Sequence, residues 1–154
     1  MGIIIRKGEK KDLPEVLRLI KELAEYEKEP LEVSNTLEMM EEDGFGKKPV
    51  FDFFVAESLN GITGIALYYT KYSTWKGKCI FLEDIIVTEK MRGNKIGDKL
   101  FSEVVKVSRE LKVERMEWQV LNWNTPAINF YKKYNVRFDD GWINCKLEYN
   151  QLQA

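Results

Sequence analysis

The chain has 154 residues, 32% of them charged, and a net charge of −1. That length suits one domain with a real core, and the balanced charge, without a long basic run, excludes a nucleic-acid-binding composition. Histidine is absent, which removes Ser-His and Cys-His catalysis and the usual zinc sites and leaves acid–base work to Glu, Asp, Tyr, Lys, Cys or water.

The N-terminal stretch "MGIIIRKGEKKDL" is too short in apolar residues for a signal peptide. Met1-Gly2 is similar to a myristoylation start, but Ile3 to Arg6 reads as a buried strand and lipidation is not expected. Asp12 to Glu15 has the spacing of a capping box with Pro14 in the first turn. Val16, Leu17, Ile20, Leu23 and Ala24 then repeat at helical spacing, so one face of this helix is buried. Lys28-Glu29-Pro30 ends it, and a second short helix follows Ser34 and stops before Gly44.

The runs "VFDFFVAES" and "GITGIALYYTKYS" read as strands joined at Asn60-Gly61, a hairpin signal. "CIFLEDIIVT" is apolar nearly throughout and reads as a central strand. A helix is predicted from about Asn94 to Leu111, and "RMEWQVL" is the next strand. Thr125-Pro126 places a cap before an N1 proline, so "AINFYKKY" is a helix, and Asn135 falls where a helix ends in a left-handed residue. "WINCKLEY" closes the chain as a strand. No apolar run approaches the ~18 residues of a membrane span. Cys79 and Cys145 lack metal-ligand spacing and read as reduced core thiols of a cytoplasmic protein, so no metal is expected.

Three places carry chemistry. The first is the turn "MRGNKIGDKL" between the central strand and the following helix. A helix N-terminus offers unpaired N–H groups and a partial positive charge, which suit a pyrophosphate if the turn lets backbone approach. Gly93 and Gly97 allow that approach, but neither G-x-x-x-x-G-K-[ST] nor G-x-G-x-x-G is present. Taken alone, these residues are more simply read as a solvated turn with a basic flank. The second place is "FLEDIIV", where two carboxylates interrupt an apolar strand. Strand neighbours point to opposite faces, so Glu83 and Asp84 are not expected on the same side. The pair is either an exposed strand end or the wall of a cleft in which a carboxylate attracts an ammonium ion and takes its proton. The third is Tyr131, which is either core or a hydroxyl able to protonate a leaving thiolate.

The order and spacing of these pieces resemble the GNAT superfamily of N-acetyltransferases, whose acetyl-CoA loop reads Q/R-x-x-G-x-G/A. Arg92, Ile96 and Gly97 match, while Lys95 stands where the first conserved glycine belongs. "LRLIKELAEYEK", "EDGFG", "YYTKYSTWKGK", "FLEDIIV", "VLNWN" and "INFYKK" are similar to the spermidine/spermine N-acetyltransferase branch, with "YSTWKGK" and "VLNWN" nearest its thialysine N-epsilon-acetyltransferase members.

The resemblance implies a single α/β (α+β) domain over residues 1–154, a mixed, largely antiparallel sheet of about six to seven strands flanked by about four helices. It implies acetyl-CoA as cosubstrate and a small primary amine, such as thialysine, a lysine analogue or a polyamine, as acceptor. Glu83 would assist deprotonation and Tyr131 would be the general acid. Ile85, Ile86 and Val87 would offer backbone groups to the pantetheine arm. Arg92, Gly93, Asn94 and Lys95, followed by Ile96, Gly97 and Asp98, would form the phosphate loop, with Asn124 and Lys133 as further cofactor contacts. Tyr26, Glu27, Glu83, Trp118 and Gln119 would contact the amine. "EYEKE", which contains Glu27, is otherwise a solvated helix end. A homodimer using the C-terminal strand is implied as well, with neither nucleic acid nor membrane as partner. Two rival readings are a protein lysine or N-terminal acetyltransferase and a non-catalytic acyl-CoA-binding module. Lys95 poses a local question: at positive φ a lysine costs on the order of 1 kcal/mol, while elsewhere it is harmless and can meet a phosphate as a point charge.

Overall fold

The computed structural model describes residues 2–154; Met1, half of the Met1-Gly2 start, lies outside the described residues. The chain divides into two units, residues 1–119 and 120–154.

The first unit is built on one five-stranded sheet in the order β1-β2-β3-β4-β5. Its strands are β1 (Ile4–Lys7), β2 (Asp52–Ser58), β3 (Gly61–Ser73), β4 (Gly77–Val87) and β5 (Arg115–Glu117). All neighbours are antiparallel except β4 and β5. The Asn60-Gly61 hairpin forms as expected, with Gly61 at φ +106°, a backbone setting that suits glycine.

The helix α1 (Leu13–Tyr26) buries Leu13, Val16 and Leu19. These pack with Met40 of α2 (Leu37–Phe45) and with Phe53, Val55, Ile65, Leu67 and Ile86 from the sheet. The cap of α1 differs from the expected box. Asp12 is at the N-cap position, but its carboxylate accepts two hydrogen bonds from Arg6, at 2.8 and 2.9 Å, and one from the Glu9 amide. A cationic fork from a neighbouring strand is a stronger partner than the helix's own amides. The second helix is capped by Thr36 rather than Ser34 and runs through Gly44 to Phe45.

The helix α3 (Ile96–Glu110) buries Ile96, Leu100, Phe101 and Val104. It lies close on the sheet at Gly64, where an added Cβ would come 2.9 Å from the Ile86 carbonyl and 3.1 Å from Leu100 Cδ1. Residues 88–95, which include a short 3-10 turn at Glu89–Met91, join β4 to α3.

The second unit holds α4 (Thr125–Lys132), α5 (Tyr149–Leu152) and irregular chain between them. Asn124, not Thr125, is the N-cap of α4, and its side chain accepts from the Ala127 amide. Asn135 takes the left-handed conformation expected of it, at φ +57°.

Two expected strands are corrected. "RMEWQVL" pairs only over Arg115–Glu117, opposite Cys79 to Phe81. Just beyond Phe81, β4 carries a bulge, and a bulge bends its strand away from a straight partner. "WINCKLEY" forms no strand; Trp142, Ile143, Leu147 and Tyr149 are exposed instead. A strand exists only with a ladder partner, and none is provided for this segment among the described residues. Among the described residues the sheet therefore has five strands, not six to seven, and the α-helices number five, one of them a single turn. Cys79 is buried as expected, whereas Cys145 is exposed.

Candidate active site

The bulge in β4 decides where its two carboxylates point. Leu67 on β3 stands opposite Asp84, but the next residue, Tyr68, stands opposite Leu82. Glu83 is the spare residue. Cross-strand partners share a face, so Asp84 lies on the face of Leu67, the side packed against α1 and α2. Tyr69, two residues beyond Leu67 on an uninterrupted strand, shares that face, and its hydroxyl donates to Glu83 Oε1 at 3.2 Å. Glu83 and Asp84 thus lie on one side, against the expectation from simple alternation. The extra residue cancels the period of two.

Their environments differ. Glu83 is exposed, while Asp84 is half-buried. Burial, reinforced by the negative charges of Glu83 and Glu27, pushes the Asp84 carboxyl up to about 7. Glu27, the C-cap of α1, is itself half-buried, and burial raises its carboxyl too. The Tyr69 hydroxyl is raised by burial first and then by the charge of Glu83. Glu27, Glu83 and Asp84 therefore form one acidic surface that an ammonium ion would neutralise.

The loop from Val87 to α3 is also organised. Gly93 has φ +82°, and Lys95, the residue before the helix, has φ +59° and ψ +20°. The position does require a left-handed residue, so Lys95 is a strained stand-in for glycine. Asn94 staples the turn by donating to the Met91 carbonyl at 3.0 Å and the Arg92 carbonyl at 3.4 Å. The Arg92 Nε donates to the Val87 carbonyl at 3.0 Å, and its guanidinium sits over the Tyr26 ring at 5.4 Å. The loop expected to hold phosphate and a residue expected to touch the amine are thereby in contact. Ile96, Gly97 and Asp98 open α3, where amides have no intrahelical acceptor, so the turn suits an anion. The lysine's left-handed backbone leaves this geometry intact.

Beyond Phe81, β4 is paired on one side only, by β3. Ile85, Ile86 and Val87 thus belong to a half-free edge, able to bind an extended arm by main-chain hydrogen bonds. Trp118 follows β5 and meets Phe101 edge-on at 5.2 Å, a packing contact; Gln119 beside it is exposed.

The remaining expected residues lie in the second unit. Asn124 is buried, with its side-chain oxygen engaged at the head of α4. Tyr131, on α4, is buried and packs edge-on against Phe130 at 5.3 Å. The Lys133 ammonium rests 4.3 Å above the Phe130 ring.

Sequence reasoning passed over Tyr69 and left Asp84 without a role. The adjacent acid pair in an apolar strand was the available signal for Asp84; the bulge that makes it useful has no signature in the residues themselves.

A one-sided β4 edge leading into a helix start suited to an anion, with carboxylates beside it, is an arrangement that acyl transfer from a phosphate-bearing donor to an amine would use. The chain belongs to the acetyltransferase (GNAT) family, whose pattern it matches over residues 15–135. It is 40% identical to a thialysine N-epsilon-acetyltransferase of Bos taurus over 95% of this chain and 92% of that one. It is 34% identical to the spermidine/spermine N(1)-acetyltransferase-like protein 1 of Homo sapiens, over 90% of this chain and 21% of that much longer one. The fold is shared with an aminoglycoside N-acetyltransferase solved in complex with CoA, at a TM-score of 0.75 and 15% identity, covering 95% of each chain.

Proposed function

We propose that this acetyltransferase moves an acetyl group from acetyl-CoA directly to the primary amine of a small cationic substrate, of the thialysine, lysine-analogue or polyamine class. The observation that carries this reading is the acidic surface that Glu83 and Asp84, on the strand leading into the phosphate-suited loop, form with Glu27 at the end of α1. A cationic amine is drawn to those carboxylates, and Glu83 assists loss of its proton, so that the nitrogen lone pair becomes free to attack. Tyr26, Trp118 and Gln119 complete the proposed substrate contacts.

The residues fit the donor. Backbone amides of Ile96, Gly97 and Asp98, with Arg92, Gly93, Asn94 and Lys95, would receive the pyrophosphate. The Ile85–Val87 edge would receive the pantetheine arm, and Asn124 and Lys133 would add contacts. Bound there, acetyl-CoA supplies an activated thioester. Tyr131 would return a proton to the departing thiolate, the role expected from the resemblance. We propose one catalytic domain over residues 1–154; the family match includes residues of both units.

Assembly and location are read in the same way. The exposed apolar side chains of Trp142, Ile143, Leu147 and Tyr149 favour a homodimer in which the C-terminal segment pairs with a second copy. Sedimentation at micromolar concentration tests it: a monomer at all concentrations overturns it. Free thiols at Cys79 and Cys145 suit a reducing cytoplasm. No helix among the described residues is long and apolar enough to cross a membrane.

The deciding experiment follows CoA release by the purified protein with thialysine, spermidine and lysine. Turnover with at least one, and intersecting double-reciprocal lines, is expected. Turnover with peptide amines alone would move the reading to protein acetylation, and acetylated Cys79 or Cys145 would contradict direct transfer.

A further inference from the structure

The two carboxylates that the bulge places on one face are not equivalent. Glu83 is exposed and accepts the Tyr69 hydroxyl, which orients its carboxylate toward that face. Asp84, its neighbour, is half-buried on the face of Leu67, and no hydrogen bond from another described residue reaches its carboxylate. An anion without donors, set beside two like charges in a partly apolar wall, gains most by taking up a proton. Glu83 already has a donor and solvent.

We propose that Asp84, in place of the Glu83 to which the resemblance gives that role, is the proton acceptor of the amine site, while Glu83, oriented by Tyr69, is the ammonium's counter-charge. This rests on the acetyltransferase reading above. In the step, one N–H bond of the ammonium breaks and its electron pair stays on nitrogen. The proton joins a carboxylate oxygen of Asp84, directly or through one water. An ion pair becomes a neutral amine beside a neutral carboxylic acid, a change that partial burial favours. The amine then carries the lone pair that attack on the thioester requires.

The charged and titratable groups acting on Asp84 are Glu83 on its own strand, Glu27 at the end of α1 and, across the ladder, Tyr69 on β3. Glu27 and Glu83 carry negative charge that favours proton uptake, and Tyr69 carries no positive charge to oppose it. The Asp84 carboxyl at about 7 is matched to work near neutral pH, whereas a carboxylate at its ordinary value would be a weak base there. Two neighbouring acids with divided environments are a recurring sign of divided roles.

The test compares Asp84→Asn and Glu83→Gln with the wild type, using the amine turned over fastest. The wild type should lose kcat/KM for the amine below a midpoint near neutrality, far from the amine's own titration at about 10. Asp84→Asn should lower kcat by about 100-fold or more and abolish that acid limb. Its affinity for the amine, measured by calorimetry on the CoA complex, should stay within about threefold of wild type. Glu83→Gln should weaken amine binding by about tenfold and keep the limb. A limb that survives in Asp84→Asn, or vanishes in Glu83→Gln alone, overturns the assignment.

If Asp84→Asn fails to fold, carbon-13 NMR of wild-type protein labelled at the aspartate carboxyls decides. One aspartate should titrate at the kinetic midpoint, and none doing so overturns the proposal. Absence of CoA release with every amine sinks the functional reading and this one with it. Turnover with an unmoved limb sinks this one alone.

Discussion

Tyr69 and Glu83 lie fourteen residues apart in the chain and share a hydrogen bond of 3.2 Å, because the β4 bulge turns Glu83 onto the face of the tyrosine. A hydroxyl donating to an exposed carboxylate is worth on the order of 1 kcal/mol. Tyr69→Phe should therefore raise the amine KM about fivefold, that energy expressed as a ratio. The acetyl-CoA KM should not move. Equal losses toward both substrates would mean that Tyr69 only supports the fold.

Lys95 occupies a left-handed position that costs a non-glycine residue about 1 kcal/mol. Lys95→Gly removes the strain but adds freedom to the unfolded chain, so a net gain of about 0.5 kcal/mol in urea denaturation is expected. The lysine's charge has its own signature. If it helps hold phosphate, the glycine variant should bind acetyl-CoA about two- to threefold more weakly at low salt, a difference that fades at high salt. Substantially tighter binding by the variant would refute the electrostatic role.

Tyr131→Phe tests the acid. Loss of a proton donor to the thiolate should lower kcat by about 100-fold. The acetyl-CoA dissociation constant, measured by calorimetry, should be preserved, because the ring and its packing against Phe130 remain. Unchanged turnover would remove Tyr131 from that role.

Asp12 offers a stability test away from the site. The Arg6 fork, then the Glu9 amide, holds its carboxyl below the ordinary 3.8, and its side chain is 6% exposed. A depressed carboxyl stabilises the fold fully above the ordinary value and loses that contribution as pH falls through its own lower value. Asp12→Asn should cost about 2 kcal/mol at pH 7, less than for a fully buried pair because Arg6 stays partly exposed. Chemical denaturation below about pH 3 should show the gap closing; a pH-independent difference would assign the loss to packing.

Much of this was readable beforehand. The apolar spacing of Val16, Ile20 and Leu23, the Asn60-Gly61 turn and the left-handed Asn135 are local features, determined by residues within a few positions. So are the glycine-flanked turn before α3 and the acid pair inside an apolar strand. The motif spacing carried the family because spacing survives where identity drifts.

What lay beyond the sequence depends on partners. "WINCKLEY" has strand composition, yet composition cannot supply a neighbouring ladder, and the segment stays irregular. Asp12 has the composition of a cap, but Arg6 from another element claims its carboxylate. Above all, Glu83 and Asp84 were expected on opposite faces. One unpaired residue, visible only when Leu67 is seen opposite Asp84 and Tyr68 opposite Leu82, brings them together. The sequence by itself determined which residues carry charge and where the first four helices and the first four strands lie, because those follow from local chemistry. Only the tertiary structure decided which side the charges face, because register is a relation between two strands.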